Sequence, residues 1–195
     1  TTETLKYIEF YAGVGGWTMA LDEALRSIAE TDESSVTTRP HCALALDHSD
    51  LCLGVYRHNH SNSSSSDPPT SKRAAKISTL QVGIEKVTPE QLIECQADVW
   101  MMSPPCQPHT RQHSNQSEDL SDPRSSSFLH ICKLLEELPT EHRPGLIMLE
   151  NVVGFETSGS CQRWRKVLSD CNYAVGHFHL TPTQVALPND RPRYY

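Results

Sequence analysis

Short apolar runs alternate along the chain with segments of helical spacing. The apolar runs cover residues 7–11, 41–47, 97–102 and 145–149, and each ends at glycine, proline or a polar residue. Between them, apolar residues recur every three to four positions in residues 17–25, 51–56, 127–138 and 161–168. Strands that alternate with helices predict an open α/β sheet with mostly parallel strands.

Three weaker signals complete the predicted elements. A third strand is expected to end at Gly83-Ile84-Glu85, and a helix is expected to begin at Pro89 with Thr88 as its cap. A last strand is predicted over residues 173–180.

The first strand ends in a glycine turn. Gly13-Val14-Gly15-Gly16 leads directly into the segment of helical spacing. Glycine permits positive φ and close approach of a ligand, and a helix amino terminus offers unpaired N–H groups. The same residues also suit a plain tight turn. The spacing differs from the GxGxxG dinucleotide motif, because the third glycine directly follows the second.

Acidic residues follow two of the predicted strands. Asp47 ends the second strand, where a carboxylate can bind ribose hydroxyls or cap the next helix. Glu150-Asn151-Val152 follows four apolar residues. A carboxylate in that position is costly to leave unpaired, so Glu150 is a candidate functional residue.

A cysteine follows the strand at 97–102, in Ser103-Pro104-Pro105-Cys106-Gln107. The two prolines stop the strand, so Cys106 is expected at its carboxyl end, the edge of an α/β sheet where ligands bind. Backbone N–H groups and nearby cations there favour a reactive thiolate. A buried cysteine beside a rigid turn is the alternative.

Two arginines and two polar segments have open interpretations. Arg191 and Arg193 are two residues apart in an extended segment, so their side chains are expected on the same side of the chain. They could form a binding pair, or they could be ordinary surface residues.

The serine-rich residues 61–73 predict a flexible surface loop. Residues 110–124 are polar and aperiodic, which suits either a mobile lid or disorder.

Composition narrows the class of protein. With 195 residues, 37% hydrophobic and 21% charged, the chain is typical of one soluble globular domain. Seven cysteines without CxxC spacing predict reduced thiols and no structural zinc. A net charge of −7 argues against nonspecific nucleic-acid binding, although it leaves room for a local basic face. The absence of a signal sequence or a long apolar run predicts a cytoplasmic protein with no membrane contact, with the nucleus as a second location.

Four motifs in order give the chain its resemblance to one family. Residues 10–16 resemble the cofactor loop of the S-adenosylmethionine-dependent cytosine-5 methyltransferases, and Pro104-Pro105-Cys106-Gln107 resembles their nucleophile loop. Glu150-Asn151-Val152 and Arg191-Pro192-Arg193 are similar to their acid and arginine motifs. The segments most similar to the branch that methylates the anticodon loop of aspartate tRNA are 101–108, 110–111, 127–130 and 150–156.

The resemblance implies a fold and a cofactor. The fold is the Rossmann-like, doubly wound, mostly parallel sheet of the class I S-adenosylmethionine-dependent methyltransferases. The cofactor is S-adenosylmethionine, which leaves as S-adenosylhomocysteine, and no metal is expected. The residues expected to hold the cofactor are Tyr11, Gly13, Val14, Gly15, Gly16, Asp47, Ile84, Glu85 and Ser103.

The resemblance also assigns catalytic roles. Cys106 is expected to add to carbon 6 of the target cytosine, and Glu150 to hold N3 and the exocyclic amine. A glutamate in an apolar site can have the raised pKa that protonation of N3 requires. Arg193 is expected to contact the base carbonyl, with Arg191 supporting the site or binding phosphate.

Three departures from the family limit these expectations. His109 stands where an aromatic Phe is expected, and the serine-rich segment resembles an insertion. The chain also ends just after the arginine motif, so residues 1–195 are expected to be the amino-terminal part of the catalytic domain. The target-recognition region and the final cofactor motif are expected to be missing.

The expected partner is tRNA, and the full protein is expected to be a monomer. Two alternatives remain within the family: a DNA cytosine-5 methyltransferase and a noncatalytic fragment that binds S-adenosylmethionine. A nicotinamide-dependent oxidoreductase would share the sheet and the acid at 47, but it has no use for the cysteine loop facing Glu150.

Overall fold

The computed structural model describes residues 2–31, 37–60, 77–105 and 125–195. Cys106, His109 and the segments 61–73 and 110–124 therefore lie outside the described residues. The elements in chain order are β1 (Thr2–Phe10), α1 (Gly16–Thr31), β2 (Thr37–Asp47), α2 (Asp50–His60), β3 (Thr79–Gln81), α3 (Pro89–Cys95), β4 (Val99–Met102), α4 (Ser126–Glu137), β5 (Leu146–Leu149), β6 (Asn151–Val152), α5 (Gly159–Asp170), β7 (His179–Leu180) and β8 (Arg193–Tyr194). Among the described helices, none combines the length and the apolar character needed to cross a bilayer.

The main sheet has five parallel strands in the order β3-β2-β1-β4-β5. The central strand β1 pairs with β2 and β4, so that Phe10 lies opposite both Leu46 and Met102. Helices cover the sheet, and the predicted doubly wound α/β fold is confirmed. Because every strand runs the same way, all of their carboxyl ends lie along one edge.

Alternate residues of β1 and β4 face two different cores. Ile8 and Trp100 pack with the buried face of α4, whereas Tyr7 and Met101 pack with Tyr56 of α2. All four residues of β4 are buried, as expected for an interior strand covered on both faces. This burial explains why the sequence of β4 is continuously apolar and not alternating.

A second, antiparallel sheet lies next to the end of β5. It has the order β6-β8-β7, and β8 pairs with both neighbours. The strand predicted over residues 173–180 forms only at its last two residues, His179–Leu180. Phe178 and Tyr195 extend the pairing, because their backbones exchange hydrogen bonds of 2.9 and 2.8 Å.

The third strand ends earlier than the sequence predicts. Gly83 to Glu85 lie beyond β3, and Ile84–Lys86 form a 3-10 turn. The predicted start of the next helix is confirmed: Thr88 caps α3 in a capping box with Gln91, and Pro89 occupies the first helical position.

The glycine turn between β1 and α1 requires glycine at position 15. Gly15 has φ +94°, and a Cβ there would overlap the imidazole of His60. That imidazole Nε2 lies 3.2 Å from the carbonyl oxygen of Val14, so α2 packs directly on the turn. Gly16 differs, because a Cβ there would meet no described atom within 4 Å.

These two glycines should respond differently to alanine. Gly15→Ala is expected to lower the free energy of unfolding by about 1 to 3 kcal/mol, because the new side chain is strained at positive φ and collides with His60. Gly16→Ala should leave the unfolding midpoint close to that of the parent. Urea unfolding of both variants tests this, and equal stability of the two would contradict it.

Candidate active site

The polar residues singled out in the sequence gather at the carboxyl edge of the main sheet. Asp47 is the last residue of β2, Ser103 directly follows β4 and Glu150 directly follows β5. The glycine turn after β1 lies between them: the N–H of Gly13 donates to Asp47 Oδ2 at 2.9 Å. The structure therefore brings these described strand-end residues to the same edge, and their role as one site stays a prediction.

Glu150 and Arg193 form an ion pair. Arg193 Nε lies 2.8 Å from Glu150 Oε1, and both side chains are largely buried, at 17% and 25% exposure. The backbone N–H of Glu150 also donates to the carbonyl of Met102 at the end of β4. The small antiparallel sheet thus brings a residue from the end of the chain onto the acid after β5.

The segment that leads to Cys106 begins beside this pair. Asn151 is buried, and its amide Nδ2 donates to the carbonyl of Pro104 at 3.3 Å. Pro104 is buried and Pro105 is exposed, and Cys106 itself lies outside the described residues. Its role as nucleophile stays a prediction.

Asp47 has a structural role besides the predicted one. Its Oδ2 accepts from Gly13 N–H, and its Oδ1 accepts from Ser49 N–H at 2.8 Å. The cap of α2 is instead Ser49, whose hydroxyl accepts from the N–H of Cys52. Asp47 thus holds the glycine turn in place, and contact with ribose stays a prediction.

A cavity of about 530 Å³ opens between the glycine turn and Glu150. Trp17 spans one side, and its indole Nε1–H donates to the hydroxyl of Ser103 at 2.9 Å. Gly16 also lines the cavity, and a Cβ added to it would meet no described atom within 4 Å, so the space beside its backbone is open. The lining residues are Glu9, Tyr11, Ala12, Gly16, Trp17, Ala20, Ser103, Met148, Glu150, Phe178, Leu180 and Tyr195.

The remaining expected cofactor residues are placed in different surroundings. Tyr11 lies past β1 with φ +54°, and its hydroxyl donates to Ser127 of α4 at 3.0 Å. Burial raises the pKa of Tyr11. Glu85 is exposed in the 3-10 turn that follows β3. Ile84 is buried in the core, whereas Val14 is 51% exposed.

The two arginines of the last segment are not equivalent. Arg193 belongs to β8 and contacts Glu150, but Arg191 precedes the strand and is exposed. The backbone N–H of Arg191 donates to the hydroxyl of Thr181 at 3.3 Å. Direct contact with the acid therefore belongs to Arg193.

Glu9 is a site residue that the sequence interpretation missed. It is 1% exposed, lies one residue before the carboxyl end of β1, and lines the cavity. Its carboxylate accepts from Trp17 N–H at 3.2 Å and from the hydroxyls of Thr18 and Tyr56 at 2.6 and 3.2 Å. Burial raises the pKa of Glu9, and these hydrogen bonds oppose that shift. A charged residue inside an apolar strand was the available signal.

Three of the described cysteines are poor candidates for a nucleophile. Cys42, Cys132 and Cys161 are buried and make no disulfide, and burial raises the pKa of Cys132 to about 12. Within the described ranges, no group of three metal-ligating side chains occurs.

The fold, with its polar carboxyl edge, is the α/β fold of the class I methyltransferases. The chain belongs to the C-5 cytosine-specific DNA methylase family, whose model matches residues 5–195. The resemblance inferred from the four motifs is confirmed by this match.

Several proteins that are similar to this chain are named as tRNA methyltransferases. The chain is 34% identical over 193 residues to the tRNA (cytosine(38)-C(5))-methyltransferase of Homo sapiens, covering 99% of this chain and 42% of that protein. It is 32% identical over 195 residues to the Schizosaccharomyces pombe protein of the same name, covering 100% of this chain and 50% of that protein. The crystal structure of S. pombe Dnmt2 methyltransferase superposes with a TM-score of 0.73 at 28% identity, covering 98% of this chain and 48% of that one. The chain thus spans about half the length of its relatives.

Replacing Glu9 should change how stability depends on pH. Since burial raises the pKa of Glu9 in the folded state, the fold retains a proton that the unfolded chain releases above about pH 4.5. The free energy of unfolding should therefore fall as pH rises above that value, by about 1.4 kcal/mol per unit of pKa difference, until Glu9 also ionises in the fold. Glu9→Gln should remove this fall and be more stable than the parent at neutral pH.

Urea unfolding of the parent and Glu9→Gln between pH 5 and 8 measures the effect. Glu23→Gln serves as the control, because Glu23 lies on the exposed face of α1 and pairs only with Arg26 in the described contacts. A parent and a Glu9→Gln variant with the same pH slope would be incompatible with a raised pKa at Glu9.

Proposed function

We propose that this chain belongs to an enzyme that transfers a methyl group from S-adenosylmethionine to carbon 5 of a cytosine in tRNA, in the anticodon loop of aspartate tRNA. The observation that carries the proposal is the Glu150–Arg193 pair, which lies beside the segment leading to Cys106. The similarity to tRNA (cytosine(38)-C(5))-methyltransferases supports RNA as the substrate.

The proposed chemistry begins with the cysteine, because carbon 5 of cytosine is too weak a nucleophile to take a methyl group unaided. The Cys106 thiolate adds to carbon 6, and the ring electrons shift so that carbon 5 becomes nucleophilic. Carbon 5 then takes the methyl group. Loss of the carbon 5 proton restores the double bond and expels the Cys106 thiolate.

Glu150 and Arg193 are placed to hold the base during this addition. Addition at carbon 6 increases electron density at N3, so N3 can take up a proton from solvent, and the Glu150 carboxylate stabilises the protonated N3 by accepting its N–H. A carboxylate offers about four acceptor positions, so Glu150 can pair with Arg193 and still receive the exocyclic amine. Arg193 can contact the base carbonyl through its remaining N–H groups. A loop cytosine is partly unstacked already, which lowers the cost of bringing it to these groups.

The cavity residues fit S-adenosylmethionine, which supplies a methyl group on positively charged sulfur. Glu9 places a carboxyl group in the lining, which would suit a positively charged sulfur, and the N-terminal turn of α1 at Gly16 and Trp17 would suit the cofactor's own carboxylate. The open space at Gly16 allows close approach to the backbone. Asp47 is proposed to bind the ribose, and Tyr11 and Glu85 to border the adenosine.

We further propose that residues 1–195 are the amino-terminal part of the catalytic domain, and that additional chain completes the pocket. The relatives are about twice as long. A groove of about 290 Å³ separates β5 from residues 173–178 and is lined by both. Leu146 and Met148 of β5 are 52% and 38% exposed there, which leaves apolar surface for a further segment to cover.

Cofactor affinity should reveal this incompleteness. Residues 1–195 contain the glycine turn and Asp47 but lack one wall of the pocket, so binding of S-adenosylmethionine should be weaker than in a longer chain of full family length. Isothermal calorimetry on both chains measures the difference. Equally tight binding by both would show that further chain is dispensable for the cofactor.

The covalent step can be trapped with a fluorinated target. If the target cytosine carries fluorine at carbon 5, no proton can leave, so the Cys106 bond should persist after methyl transfer. Full-length protein, S-adenosylmethionine and an aspartate-tRNA anticodon stem-loop with 5-fluorocytosine should give an adduct that survives denaturation. Electrophoresis of the denatured mixture detects it.

Two cysteine variants separate the nucleophile from the other thiols. Cys106→Ala should give no adduct and no product, whereas Cys132→Ala should behave like the parent, because Cys132 is buried in α4. An adduct in the Cys106→Ala protein would remove the nucleophilic role from this residue.

DNA is the second candidate substrate, because the matching family model is described by cytosine-specific DNA methylation. Transfer of labelled methyl groups by the full-length protein to total tRNA and to genomic DNA, compared side by side, decides between them. Preferential labelling of DNA would overturn the proposed substrate while leaving the proposed chemistry intact.

A further inference from the structure

The two residues of β8 point to opposite sides of the small sheet. Arg193 reaches Glu150 on one side, whereas the ring of Tyr194 enters the main core on the other. Tyr194 is 5% exposed. The strand that delivers Arg193 to the acid is therefore held by a buried aromatic side chain on its reverse face.

The hydroxyl of Tyr194 contacts two side chains, His177 and Cys161. His177 Nδ1 lies 2.6 Å from the phenol oxygen, and Cys161 Sγ lies 3.8 Å from it. Burial raises the pKa of Tyr194, and a hydrogen bond from the Arg165 guanidinium opposes that shift.

The ring of Tyr194 is enclosed as well. His177 stacks on it with ring centroids 5.8 Å apart and planes at 25°. Phe155 and His179 contact it at 5.8 and 5.9 Å with inclined planes. The side chain is thus anchored to α5 through its hydroxyl and to the segment before β7 through its ring.

This anchor specifies the register of a very short strand. With only two residues, β8 gains few backbone hydrogen bonds from β6 and β7. A slip of one residue would exchange the two faces, withdraw Arg193 from Glu150 and bury a guanidinium in the apolar core. In the observed register the Tyr194 hydroxyl reaches His177 and Cys161.

We propose that Tyr194 is a positioning residue that holds Arg193 against Glu150, through the contacts of its hydroxyl with His177 and Cys161. The inference rests on the proposed function, in which Glu150 and Arg193 bind the target base. Tyr194 itself does not touch the base. Its effect passes through the geometry of β8.

The first measurement follows the ion pair directly and needs no turnover. In the full-length protein, exchange of the Arg193 Nε proton with solvent is measured by nuclear magnetic resonance, with the signal assigned through its loss in Arg193→Lys. Tyr194→Phe keeps the ring and removes the hydroxyl, so exchange should become about tenfold faster. An unchanged exchange rate would overturn the inference.

Tyr173→Phe is the matched control. It removes another partly buried phenol, whose hydroxyl donates to the carbonyl of Pro144 at 2.6 Å, away from β8. It should lower the unfolding temperature without changing exchange at Arg193. If Tyr173→Phe accelerates exchange as much as Tyr194→Phe does, the effect is general loosening and the positioning role fails.

The second measurement tests whether Tyr194 acts through Arg193 in the reaction. Tyr194→Phe should lower kcat about tenfold, with KM for S-adenosylmethionine changed less than about twofold. In an Arg193→Lys background the same change should lower kcat much less, because the geometry it protects is already lost. Equal losses in both backgrounds would overturn the inference.

A failure of the proposed function can be distinguished from a failure of the inference about Tyr194. A parent enzyme that methylates neither tRNA nor DNA would defeat the proposed function before any variant is compared. Proton exchange at Arg193 would still decide whether Tyr194 holds the ion pair.

Discussion

The parallel pairing of β1 with β2 and β4 constrains where each polar group of the candidate site can lie. Because Phe10 is level with Leu46 and Met102, the residues that follow these strands emerge at the same height on the same edge. Gly13, Asp47 and Ser103 are neighbours for this reason, although they are far apart in the chain. The pairing of β4 with β5 adds Glu150 to the same edge. The core on both faces of β4 keeps this register, since a slip would move apolar side chains to the wrong layer.

Buried polar contacts then convert the sheet edge into a shaped cavity. Glu9 binds the first turn of α1 through Trp17 N–H and the Thr18 hydroxyl, and Asp47 binds the glycine turn through Gly13 N–H. Trp17 in turn reaches Ser103 across the cavity. These contacts join β1, β2 and β4 through side chains as well as through the sheet. An unpaired carboxylate at either position would be costly, so the contacts that satisfy Glu9 and Asp47 also fix the walls of the cavity.

The small antiparallel sheet brings β8, near residue 195, next to Glu150 at the end of β5. Two-residue strands have little stability of their own, and side chains on both faces of β8 compensate. Arg193 pairs with Glu150 on the cavity side, and Tyr194 is enclosed on the core side. The same strand therefore links the hydrophobic core to the proposed base-binding groups. Because Arg193 and Tyr194 are adjacent in β8, the packing of Tyr194 in the core and the position of Arg193 in the site are linked through one peptide bond.

The sequence by itself determined the alternation of strands and helices, the strand-end positions of Asp47, Ser103 and Glu150, and the capped start of α3. These features follow from local rules of periodicity, turn chemistry and capping, which a linear chain displays. Tertiary structure alone decided that Glu9 lines the cavity, that Asp47 binds Gly13, and that Arg193 and not Arg191 meets Glu150. It also limited the predicted strand at residues 173–180 to His179–Leu180 and placed Ile84 and Glu85 in a turn. Such outcomes depend on which strand packs beside which, and that choice is made by long-range burial and hydrogen bonding that no local pattern encodes.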